Sequence, residues 1–551
     1  MSRCHADSSR TLLPAGPFLP FGIPLNASLA RFLVLSLGFV LAAFCSSFGT
    51  DVVTYHNDNN RTGANRAETI LTQSNVNSTS FGKLFTLTVD SGVDAQPLYL
   101  SALTINGQSH NVLYVVTEND TVYAFDADTG ASLWQVSLLQ AGETPSDTHG
   151  CGQITPTIGI TATPVIDRAI GAHGTIYVVA MSKTSSGTYF QRIHALDVTN
   201  GQEQFGGPVA VTAQYPGTGD NSQGGFVIFD PGQYAERTGL LLINHTIYTA
   251  WTSHCDIRPY TGWVIGYDET TLAQTSVINL TPNGNEGAMW QSGAGLASDG
   301  KNIFFLDGNG TFDTTLDSKG FPSMGDYGNA FVKLSTKNNV LSVADYFNQF
   351  DTVAQSNADQ DLGSGGAMLI PAQKDAAGTL HYLAIGAGKD KKIYIVDRTN
   401  MGKFNSVSNN IYQEVDGALG GGCWSMPAYY NNWVYYGPSG AKMKQFKFTN
   451  ARLSTSATAT SATIFTYPGT APSVSSNGSS SGIVWAVEHT VTSKLRAYKA
   501  SSIATELYNS NQAANGRDHF GSASHFGTPT IINGKVYVGT TTGVAVFGLL
   551  Q

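Results

Sequence analysis

The stretch AFDADTGASLW, residues 124–134, decides how this chain is read. It ends one apolar run, turns, and begins another. Val122 to Asp126 has the pattern of a strand. DADTG is a turn in which Gly130 permits a positive φ and the Asp126 side chain can accept turn amides. Leu133 and Trp134 open the following strand. A large aromatic there can pack between neighbouring sheets, and its full burial is worth ~2–3 kcal/mol. Ala124, Asp126, Thr129, Gly130 and Trp134 therefore each have a structural task.

Outward from this stretch the same unit recurs. It is an apolar strand with an aromatic at a fixed place, a turn, and a strand that often ends in Asp. The aromatics are Tyr114, Tyr177, Tyr248, Phe304, Tyr382, Tyr435, Trp485 and Tyr537. Upstream of several units a further strand opens on proline, as in AQPLYL, TATPVID, SMPAYY, TAPSVS and GTPTII. Proline suits the first residue of a strand, where its missing N–H costs little. Four strands in ~40–50 residues make one propeller blade. The expected fold is all-β: an eight-bladed β-propeller of four-stranded antiparallel blades, with seven blades and one irregular insertion as the alternative. Only 14 residues follow Tyr537, too few for a complete last blade. The alternating segment FGKLFTLTVD, 81–90, is expected to supply the missing outer strand and close the ring. Abundant glycine (60 residues) and few charges (13%) agree with many short strands and turns.

Three regions follow. Residues 1–49 read as a signal peptide or N-terminal anchor: Arg31 precedes a thirteen-residue, mostly apolar run from Phe32 to Phe44, with small residues after it. Residues 50–80 are a polar cap segment, and 81–551 are the propeller. The protein is expected to be extracytoplasmic, periplasmic or secreted, and to touch a membrane only through the N-terminal segment if that is uncleaved. The net charge of −9 offers no basic face for nucleic acid. Beyond the leader lie Cys151, Cys255 and Cys423. Cys151 and Cys255 sit in polar, turn-like loops and are expected to pair, leaving Cys423 buried and free; three unpaired thiols is the alternative.

AFDADTGASLW resembles the tryptophan-docking repeat of the pyrroloquinoline quinone (PQQ) propeller superfamily, A-x-D-x-x-T-G-x-x-x-W, and HALDVTNGQEQF (194–205) is a decayed copy. The resemblance covers about residues 81–551 and implies the fold. The superfamily contains quinoprotein alcohol dehydrogenases as well as propellers that bind no quinone. It implies, for an enzymatic member, PQQ on a tryptophan floor at Trp290, calcium held by Asn309 with Asp256 as the nearest acid, and Asp326 as general base. This chain departs from that pattern. It lacks the adjacent-cysteine pair, a clear glutamate ligand and a haem-attachment site. The Asp359/Asp361 pair reads as a turn before a Gly-rich run, and GAGKD around Lys389 lacks the flanking residues of a phosphate loop. No cofactor is assured. The reading that follows is a binding or scaffold protein for an unknown protein or small molecule. Its surface is the central funnel and the long loops of the early units, where spacings reach 71 and 78 residues against 50 and 52 at the end. The alternative is a PQQ- and calcium-dependent dehydrogenase of alcohols or sugars.

Overall fold

A computed structural model describes residues 50–551. The expected leader, 1–49, lies outside them. Among the described residues no helix is long and apolar enough to cross a membrane.

The described chain is built of antiparallel sheets. The first holds Leu98–Ile105, Gln108–Val116, Thr121–Asp126 and Ser132–Ser137, paired in that order. Eight sheets of four or five strands follow one another along the chain, joined by loops that carry one three-stranded and one two-stranded sheet. Pro97, Pro164, Pro427, Pro472 and Pro529 each stand one residue before the first strand of a sheet. The last sheet orders Thr530–Ile532, Lys535–Thr540 and Gly543–Leu549, and its fourth strand is Phe81–Thr88, antiparallel to Gly543–Leu549.

Local chemistry explains the turns. Asp126 Oδ1 accepts from the Thr129 amide at 2.8 Å, the Thr129 hydroxyl at 2.8 Å and the Asp128 amide at 3.1 Å. Gly130 takes φ +78°. The same Asp-to-Thr hydroxyl bond recurs at Asp197–Thr199, Asp268–Thr270 and Asp397–Thr399. Ala124 is fully buried and faces Trp134 across the ladder.

The repeated aromatics clamp one sheet to the next. Tyr114 donates its hydroxyl to Val198 O at 2.8 Å, and Trp134 Nε1 donates to the same carbonyl at 3.1 Å. Tyr177 reaches Glu269 O, and Tyr435 reaches Ala500 O, each in the following sheet. Tyr537, in the last sheet, donates to Ala127 O of the first at 3.2 Å. Other members of the series differ, and Phe304 has no hydroxyl to donate. Trp485 donates instead to Ser475 Oγ within its own sheet. Tyr382 precedes its strand, Leu383–Ala387, and is 44% exposed. Ile385, opposite Met368, fills the buried place instead.

The polar segment expected as a cap is a hub. From Val52 to Asn65 it bonds in turn to the first strand of all eight sheets. The amides of Tyr99, Ile166, Ser298, Leu369, Tyr429 and Val474 donate to carbonyls of Val52, Val53, Asn59, Asn60, Thr62 and Gly63. The Asn59 side chain donates to Leu242 O, and Asn65 to Ile531 O. Arg61 is fully buried at the middle of this run.

Candidate functional site

The loops that lead into the first strands converge on a funnel, and each of the eight sheets contributes. Asp94, Gln153, Arg237, Trp290, Ser364, Trp424, Tyr467 and Phe526 come from successive loops and line its walls. Residues just past the second strands, among them Glu118, Lys389 and His489, complete it. Hydroxyls tie neighbouring loops together: Ser292 donates to Ser364 O at 2.7 Å, and Ser364 donates to Cys423 O at 2.7 Å. Cys151 and Cys255 are disulfide-bonded across 104 residues, joining the loop of Gln153 to that of Asp256. Cys423 is buried and free.

The funnel holds two adjoining voids that share Gln153 and Tyr467. The smaller, about 40 Å³, is bounded by Trp290, Asp256, Asp361, Lys389, Arg237 and Trp424. Asn309 stands behind it. Its amide N donates to Asp361 Oδ1 at 3.2 Å and its Nδ2 to Asp359 Oδ1 at 2.8 Å, while its Oδ1 has no partner. Lys389 pairs with Asp359 and lies 3.8 Å from Asp361. Asp256 accepts from the Tyr260 hydroxyl at 2.7 Å. Trp290, Asn309 and Asp256 are thus brought together. Asp326 is not among the lining residues. It is buried elsewhere, accepts from the Asn283 amide at 2.8 Å, and is pushed up to about 6 by burial. Asp361 and Lys389 join the site instead. The sequence reads Asp361 as part of a turn and Lys389 as part of an incomplete phosphate loop, since nothing local marks either residue as facing a common axis.

Asp361 is pushed up to about 7, because burial outweighs the pull of Lys389, and Asp256 and Asp359 add to the rise. The folded protein therefore holds a proton that the unfolded chain releases near pH 4. Stability is expected to fall as pH rises from about 4 to about 7, by up to roughly 1.4 kcal/mol per pH unit from this group. Urea denaturation across that range should show the slope, and Asp361→Asn should flatten it.

The larger void, about 400 Å³, is polar. Asp94, Glu118, His489, Ser524 and His525 line it beside Tyr467. The sequence carries no signal for Asp94 or Glu118, which lie in ordinary turn text and meet only through the fold.

Comparison with solved structures bears on the fold. A quinohemoprotein alcohol dehydrogenase from Comamonas testosteroni matches with a TM-score of 0.59 and 13% identity, over 93% of this chain and 82% of that one. A quinohemoprotein alcohol dehydrogenase from Pseudomonas putida HK5 gives 0.58 and 12%, over 91% and 80%. This chain has the PQQ-dehydrogenase type of β-propeller fold. A europium-containing methanol dehydrogenase shares that PQQ-type fold at 0.57 and 11%, over 92% and 99%. No family model matches the sequence, and no curated protein does.

The PQQ-type fold poses the question of its cofactors. Asn309 Oδ1 is a free oxygen donor of the kind calcium takes. Among the described residues no three His, Cys, Asp or Glu side chains are grouped to hold a metal. The void at Trp290 is narrow, about 40 Å³. Lys389 is already engaged by two carboxylates, and the Asn309 amide by a third contact to the same pair. A fused tricyclic quinone beside Trp290 would have to displace these contacts.

Proposed function

We propose that this chain is an exported, eight-bladed propeller whose ring is closed by the strand Phe81–Thr88, and that it acts as a binding protein through its funnel and long loops. The observation that carries the reading is the contrast between the two voids: about 40 Å³ where a quinone would sit, and about 400 Å³ of polar cavity beside it. Small-ligand sites of ~300–1,000 Å³ with a few convergent polar groups are the common form. The clamp from Tyr537 to Ala127, which repeats the clamp between consecutive sheets, supports a closed ring. Export is supported by the apolar run at the N-terminus.

The second reading, a PQQ- and calcium-dependent dehydrogenase, is favoured by the meeting of Trp290, Asp256, Asn309, Asp361 and Lys389 around one void, and by neighbours that are alcohol and methanol dehydrogenases. The two are separated by assaying dye reduction with a panel of alcohols and sugars after incubation with PQQ and calcium chloride. The binding reading expects no reduction above a protein-free control. Turnover that Asp361→Asn abolishes and Asp326→Asn leaves intact would establish the enzyme.

A further inference from the structure

The larger void is built around a problem of charge. Glu118 is 4% exposed and leaves the end of the second strand of the first sheet, held by its amide on Gly92 O at 3.0 Å and by the Thr157 hydroxyl on its carbonyl. Its carboxyl meets that of Asp94. Neither Glu118 Oε2 nor Asp94 Oδ2 has a donor from the protein. No lysine or arginine lines this cavity, and Arg237, the nearest cation to Asp94, faces the smaller void.

The remaining wall also offers acceptors. Ser524, 4% exposed, and His489, 7% exposed, line the cavity with Oγ and Nδ1 lacking partners. Burial, with His525 nearby, pushes His489 down to about 4, so its ring is neutral at physiological pH and can accept. Tyr467, 48% exposed, stands at the mouth in edge contact with Trp424, His525 and Phe526.

We propose that this cavity binds a small organic ammonium ion, whose N–H donors are taken by Asp94, Glu118 and Ser524 while the aromatic rim covers its carbon skeleton. An ammonium group has three donors and no acceptor, which complements a wall of unpartnered acceptors. Aromatic faces attract such cations. A bare metal ion would leave most of the 400 Å³ unfilled, and the cavity lacks a third acidic or imidazole ligand grouped with the pair. The cavity adjoins the void at Trp290, with which it shares Gln153 and Tyr467, and the proposal rests on the reading that no quinone fills the funnel.

Burial and their proximity favour a proton shared by the ligand-free pair. Burial and the adjacent Asp94 push Glu118 up to about 10, and burial raises Asp94 too, against the pull of Arg237 and His525. An arriving ammonium replaces that proton, which leaves to solvent. Binding is therefore linked to the release of about one proton, and affinity should rise about tenfold per unit between about pH 6 and pH 8, where primary alkylamines remain charged.

Isothermal titration of the folded protein with butylamine, benzylamine and 1,4-diaminobutane, in two buffers of different ionisation enthalpy, tests this. Butanol and calcium chloride are the comparison ligands. The proposal expects saturable binding of at least one amine, release of about one proton, the pH slope above, and no comparable binding of butanol. Glu118→Gln should weaken the amine about tenfold or more and remove the slope. Ser524→Ala should weaken it a few-fold and keep the slope. Equal binding of butanol, an affinity flat in pH, calcium binding that amines do not displace, or failure of every amine would each overturn it. If Glu118→Gln does not fold, proton release and the butanol comparison in the parent protein decide the matter.

Discussion

Replacing Arg61 by alanine is expected to lower the free energy of unfolding by about 4 kcal/mol, the largest effect of any single polar substitution in the chain. Arg61 is fully buried and forms no ion pair; it donates to Leu296 O at 2.8 Å, Thr54 Oγ1 at 2.7 Å, Tyr55 O at 2.8 Å and Leu240 O at 3.3 Å. Burial holds its guanidinium down to about 10, so it stays charged at neutral pH. Alanine would leave four acceptors in a region closed to water and a cavity among the first strands of the sheets. The loss should spread to every sheet, because the segment from Val52 to Asn65 bonds to all eight. Urea denaturation followed by tryptophan fluorescence measures it. A midpoint equal to that of the parent would show that the segment is a dispensable cover and not a hub.

Phe81→Ala is expected to cost about 3–4 kcal/mol, and deletion of 81–88 to prevent folding. Phe81 is fully buried and meets Trp485, Tyr508 and Phe547 with ring centroids 5.4, 4.9 and 6.3 Å apart. It thus joins the seventh and eighth sheets where Phe81–Thr88 pairs with Gly543–Leu549. Its strand also covers the edge of Gly543–Leu549, which would otherwise present unpaired amides and carbonyls. Leu84→Ala, on the same strand but 38% exposed, is the control and should cost less than about 1 kcal/mol. Similar midpoints for the two variants would contradict closure of the ring by this strand.

What the sequence made legible is what local chemistry determines. The Asp126 turn, the prolines before the first strands and the alternation of FGKLFTLTVD are each readable within ten residues, and repetition turned them into an architecture. The hub was not legible. Its hydrogen bonds, six from backbone and two from asparagine side chains, go to eight different strands, so it has neither period nor pattern, and Arg61 among asparagines looked like surface. The site was half legible. Trp290 and Asn309 stand at positions a resemblance could mark, and both border one void or its wall. Asp326 was also marked by the resemblance, but the loop after Asp307 carries it to the Asn283 amide, away from the residues that line the void. Asp94 and Glu118 could not have been paired, because only the ring brings the approach to one strand beside the end of the next.

The proposed binding reading is that the void at Trp290 takes up no quinone. It is tested most directly by incubating the mature protein with PQQ and calcium chloride, separating free cofactor by gel filtration, and recording the absorption spectrum. The protein is expected to elute without quinone absorbance. Stoichiometric quinone retained by the parent protein and lost on replacing Trp290 by alanine would contradict it.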